Sequence, residues 1–198
     1  MAARHAKFLM VVFILCSAYL GGCEKGEERK TTDLIPFLDA TVINYHSQTF
    51  NLPEQLPLNQ VLPAGSVSSF TARIAPLLVS ISRGGFDVVE LKKVTVMLRM
   101  ALQPQNFSGK TTLRLYVGNQ VDIYNDPSAV KVEERKIMPD TVALLTSDSR
   151  LNLVFAQEEV VFGMEFVLEP TELQSHEISI LGHVEKFEAE ITGFQGIF

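Results

Sequence analysis

Several groups of side chains in this 198-residue chain are of types that do chemistry. Ser108-Gly109-Lys110-Thr111-Thr112 resembles the end of a phosphate-cradling loop. Such a loop needs a glycine five positions before Gly109 and a helix after it, so that backbone N–H groups aim at phosphate. Pro104 stands at the first position and an alternating, strand-like pattern follows, so a hairpin turn is expected instead. His176 and His183 are ligand types, but a spacing of seven along one strand sends them to opposite faces. No third histidine is near them. Asp122, Asn125 and Asp126 are oxygen donors of the kind calcium takes. Their spacing matches no calcium loop, and Asn125-Asp126-Pro127 is good turn chemistry. Glu133-Glu134 and Glu158-Glu159 offer carboxylates for acid–base work, yet neighbours on a strand point to opposite sides, which makes solvated edges the better reading. There is no Gly-x-Ser-x-Gly elbow. The expectation is a non-catalytic protein with no cofactor and no metal site.

The remaining reactive residue is Cys23, and its surroundings say more. Arg4, His5 and Lys7 give a basic start, followed by an apolar run from Phe8. The run to Leu20 would span ~20 Å as a helix, short of a hydrocarbon core of roughly 30 Å. Leu20-Gly21-Gly22-Cys23 follows, and then the chain turns charged: Glu24, Lys25, Glu27, Glu28, Arg29, Lys30. This is the layout of an export signal whose small residues end at a cysteine.

The Leu20–Cys23 stretch resembles the lipobox of bacterial lipoproteins. The resemblance implies cleavage before Cys23, which then carries a diacylglycerol thioether and usually a third, palmitate-like chain. Two or more chains anchor stably where one holds only reversibly. By the same resemblance, Glu24 in place of an aspartate favours the outer membrane, facing the periplasm or the exterior. Loss of residues 1–22 removes Arg4, Lys7 and Cys16, so no thiol is left for a disulfide, a zinc site or a nucleophile. Fifteen basic against 23 acidic residues leave the mature chain at −8. That balance argues against nucleic acid as a partner and against adhesion to anionic headgroups by charge.

These residues require a body to present them. Residues 1–22 are expected to be the signal, 23–36 a lipidated N-terminus and flexible tether, and 37–198 one domain. Period-2 patterns dominate that domain. Val94, Val96, Leu98 and Met100 alternate with Lys93, Thr95 and Arg99, and Leu113, Leu115 and Val117 alternate with Thr112, Arg114 and Tyr116. Phe70, Ala72 and Ile74 form a third stripe. Thr41–Tyr45, Leu151–Phe155, Ile178–Ile180 and Phe187–Ile191 are further strand candidates, and Val160–Leu168, apolar on both faces, suits a central strand. Ala75–Ser82 is the one short helix candidate. Residues 51–65, with three prolines, are expected to form a long extended loop or edge segment. Phe194 and Phe198 suggest the end of a membrane barrel, but Glu188 and Glu190 share their face. The fold class expected is all-β: an antiparallel β-sandwich of roughly eight to ten strands.

The functional expectation is a lipid-anchored envelope protein acting by contact, as a binding, adhesion or assembly module with an envelope protein as partner. With no tryptophan, a sugar platform is disfavoured. The alternative is a carrier of lipid or another hydrophobic solute, since thirteen phenylalanines suit either a plain core or an apolar cavity.

Overall fold

A computed structural model describes residues 27–80, 88–157 and 159–195. Cys23 and the apolar run before it lie outside the described residues, as do Glu158 and Phe198. The chain forms two antiparallel sheets packed face to face, the β-sandwich read from the sequence.

Three long ribbons, each bent double, build it. β6 (Val88–Gln105) turns at Asn106 into β7 (Phe107–Gly118). β8 (Val130–Ile137) turns through Met138-Pro139 into β9 (Asp140–Thr146), and β10 (Glu159–Leu173) turns through residues 174–176 into β11 (Glu177–Gln195). Each turn carries the chain from one sheet to the other. One sheet therefore holds β11, β6 and β9 side by side, and the other holds β10, β7 and β8 in the matching order. The corners are bonded together. Asn106, at φ 65°, accepts from Gln174 N–H at 2.8 Å and donates its side-chain amide to Glu177 O at 3.0 Å. Met138 N–H donates to Gly109 O at 3.1 Å.

The alternating stripes explain why the ribbons close on themselves. Val94, Val96, Leu98 and Met100 face Leu113, Leu115 and Val117, and all are buried. Val160, Phe162, Met164, Phe166 and Leu168 join them from β10. Phe162 meets Phe155 and Phe187 edge-on, with ring centres 6.4 and 5.0 Å apart. Each such side chain contributes about 1.5–3 kcal/mol on burial, so the core holds the domain without a covalent staple.

The ribbon edges hold four corrections to the sequence reading. Residues 27–33 are not tether. They form β1 (Glu27–Asp33), paired with β11 from Glu188 to Phe194, so the sheet already includes residues ten positions before 37. No apolar stripe marks this strand, because backbone hydrogen bonds and cross-strand ions such as Arg29–Glu190 (2.6 Å) hold it. Thr41–Tyr45 is split between a short helix, α1 (Ala40–Ile43), and β2 (Asn44–His46), which also pairs with β11. Ala75–Ser82, the helix candidate, contains instead the strand β5 (Leu77–Ser80), laid along β10 beside β4 (Phe70–Arg73). Leu151–Phe155 is helical: α2 (Arg150–Phe155) buries Leu151, Val154 and Phe155, the three- and four-residue spacing of a helix face. A short apolar run fits either period, and here packing decided. Residues 51–65 are the expected loop, touching the sheet through the two-residue strand β3 (Phe50–Asn51) and an isolated bridge between Val61 and Glu172.

Gly109 sits where β10 shifts register between Pro170 and Glu172, and a Cβ there would lie 2.2 Å from Glu169 O. That neighbour is backbone and cannot swing away. Gly109→Ala is expected to cost about 2–3 kcal/mol, the scale of core overpacking. In a thermal melt this lowers Tm by roughly 5–10 °C; an unchanged Tm would contradict the close approach.

Candidate functional site

The residues with chemical potential are dispersed by the fold. Ser108–Thr112 lies along β7 in extended backbone, with no helix after it. His176 Nε2 lies 3.0 Å from Leu56 O, and His183 Nδ1 lies 2.8 Å from Asn44 Oδ1 on β2. Asn125 donates to Asp122 at 3.0 Å, and Asp126 accepts from the Ser128 hydroxyl and N–H at 2.6 and 2.8 Å. These oxygens close a turn between β7 and β8. Glu134 pairs with Lys136 at 3.1 Å, and Glu159 opens β10. Among the described residues, no group of three His, Cys, Asp or Glu side chains is placed to share a metal.

The polar cluster the fold does assemble is built on Glu165, which sequence reasoning passed over. Its backbone lies in the register row Arg73–Glu165–Arg114–Glu133, crossing β4, β10, β7 and β8. Residues directly opposite on neighbouring strands project from the same face, so the row alternates in charge across the whole outer face. Arg73 Nε donates to Glu165 Oε2 at 2.7 Å, and Arg114 Nη1 donates to Oε1 at 2.7 Å. The Tyr116 hydroxyl donates to Oε1 at 3.3 Å. Arg114 Nε donates onward to Glu133 at 2.8 Å, and Lys131 reaches Glu133 at 3.1 Å.

Glu165 is only 2 % exposed although it points away from the main core. Its cover is the β7–β8 connection. There Ile123 and Ala129 bury against Val161, with Tyr116 and Tyr124 packed alongside as a second, smaller apolar cluster. Gly163 makes the seat: a Cβ would stand 2.7 Å from Ile123 and 3.0 Å from Tyr124. Arg73 lies over the Tyr124 ring at 4.9 Å. The Tyr124 hydroxyl accepts from Met164 N–H at 3.0 Å and lies 2.5 Å from Ile74 O. It thereby fills the break between β4 and β5, where Pro76 has no N–H to continue the edge ladder.

Electrostatics identify the cluster as a clamp. Burial works against ionisation of Glu165, but hydrogen bonds from Arg114 and Arg73 outweigh it and hold the carboxyl below its ordinary range. Burial pushes the Tyr124 phenol up to about 12. This carboxylate accepts from two guanidinium groups and a phenol and is closed to solvent, the arrangement of a structural ion cluster. The sequence signal that could have found it is a lone glutamate within the apolar run Val160–Leu168, with Arg73 and Arg114 on outward faces of their strands. Scanning with family models finds none that matches the chain, and a search of curated proteins finds no match either.

Removing one partner of a buried ion pair strands the others, so Glu165→Gln is expected to cost about 3 kcal/mol at pH 7. Because the native pKa is depressed, the charge contributes stability above the ordinary carboxylate value near 4.5 and loses it as pH falls through the lowered one. Urea melts should therefore show a constant gap between wild type and variant from pH 7 to 5 that closes in stronger acid. A gap that persists there would refute a charge-based clamp. Tyr124→Phe leaves Met164 N–H without its acceptor, at a cost of about 1–2 kcal/mol. Slower amide exchange at Met164 in the variant would contradict that role.

Proposed function

We propose that the mature protein is a lipid-anchored component of a bacterial cell envelope, probing its surroundings by contact rather than by catalysis. The observation that carries this reading is the Leu20-Gly21-Gly22-Cys23 stretch directly after a signal-like apolar run. Acylation of Cys23 would hold the domain at the membrane, and Glu24 favours the outer membrane, facing periplasm or exterior. Among the described residues no helix is long and apolar enough to span a bilayer, so the anchor in this reading is the lipid.

The non-catalytic role, as a binding, adhesion or assembly module, is supported by what the fold does with its polar groups. The one buried carboxylate among the described residues is spent on a structural clamp. The other candidates are scattered over turns and edges. A sandwich of this kind offers loops and strand edges to a partner, and an envelope protein is the partner class proposed. The packed phenylalanine interior supports this over the carrier alternative. Phe155, Phe162, Phe166 and Phe187 are each no more than 4 % exposed, filling the space between the sheets where a lipid would have to lie.

The address is tested by Cys23→Ala in cells fed a labelled fatty acid. Label is expected on the wild-type protein only, with the variant moving from the membrane to the soluble envelope fraction. Equal labelling of both would sink the assignment.

A further inference from the structure

The tether is short, and its attachment point defines which end of the sandwich meets the bilayer. Only three residues, 24–26, separate Cys23 from the first residue of β1. Four chain steps reach at most ~14 Å, and the headgroup layer on one side of a bilayer takes up roughly 5–8 Å of that. The body being held is far larger than the slack, since β6 alone has 18 residues, or roughly 60 Å of strand. An anchored domain on so short a leash stays against the membrane.

A continuous chain of contacts shows what surrounds the attachment point. Glu27 pairs with Lys92 at 2.9 Å. The Lys92 carbonyl accepts from the Asn152 side chain on α2 at 3.1 Å. The Asn119 side chain, just past β7, donates to Val154 O on α2 at 3.1 Å and to Glu159 O at the start of β10 at 2.8 Å. The end holding Glu27, α2 and the start of the β7–β8 connection is thus one bonded unit, opposite the ribbon corners. Two aliphatic side chains stand out from it into solvent: Leu153 on α2, 73 % exposed, and Val121, 70 % exposed. A net charge of −8 disfavours attraction to anionic headgroups by charge, which leaves apolar side chains to make the contact.

We infer that this end of the sandwich is a membrane-contact surface, with Leu153 and Val121 inserted at the headgroup–acyl boundary beside the acylated cysteine. Interfacial segments bury apolar side chains to ~5–10 Å in this way. The domain then stands with its corners, and the loops between them, directed away from the lipid. The inference rests on the lipid-anchor reading above.

The test uses the full acylated protein in vesicles of phosphatidylethanolamine and phosphatidylglycerol with brominated acyl chains. Leu153→Cys and Val121→Cys are each labelled with a small fluorophore, the native thiol being blocked by the lipid. Ile137→Cys is the control: it is equally exposed at 73 %, but sits at a ribbon corner. Its partner Lys110 is eight strand positions from Gly118, roughly 26 Å away. Quenching at 153 and 121 is expected to exceed that at 137 about threefold, and to fall toward it when about fifteen Gly/Ser residues are inserted after Glu24. Equal quenching at all three sites, in protein that floats with the vesicles and carries the lipid mass, overturns this inference alone. Crosslinking of Leu153→Cys into dimers without quenching also overturns it, in favour of a second copy as occupant. Protein that carries no acyl group overturns both readings together.

Discussion

Folding each long ribbon double, so that its own two halves become facing layers, is the constraint on which the rest of the molecule depends. It forces the corners at 106, 138–139 and 174–176 to one end and bonds them there. It also commits one face of every central strand to the shared core. The outer face of β10 and β7 is then left to the connection that follows β7. Where that connection lies down on the sheet, Glu165 loses contact with water. A buried carboxylate is tolerated only when paired and hydrogen-bonded, and the row Arg73–Glu165–Arg114–Glu133 provides that across four strands. The charged row follows from the way the ribbons are layered.

How far the sequence could be read depended on whether apolar side chains carried the information. The stripes at Val94–Met100 and Leu113–Val117 are buried as their alternation implies, because half-buried strands repeat with period two, and Val160–Leu168, apolar on both faces, is buried on both as a central strand. β1 was illegible for the opposite reason: Glu27–Asp33 is polar on both faces, and its place is set by pairing with β11, which no local pattern announces. Leu151–Phe155 was ambiguous, since five apolar-rich residues satisfy a strand or one helical turn, and burial of Leu151, Val154 and Phe155 chose the helix. Glu165 was hidden by its neighbours. Its charge partners come from positions 92 and 51 residues away, and cross-strand register is a property of the whole fold.

The same register bears on function. Because β1 begins at Glu27, the stretch that reads as a loose leash by composition is mostly structural, and the proposed anchor is joined almost directly to a rigid body. In the proposed reading such a body keeps a fixed stance towards the membrane and presents its corner loops and edge strands to the envelope. The sandwich spends its buried charge on holding the β7–β8 connection in place, consistent with a protein whose work is shape and position.

The most direct measurement is mass spectrometry of the N-terminal peptide from protein purified out of membranes. The expected peptide starts at Cys23 and carries the added mass of a diacylglyceryl group, with or without a further acyl chain. An unmodified peptide at that position, or one that begins elsewhere, would contradict the anchor and with it the stance of the domain on the bilayer.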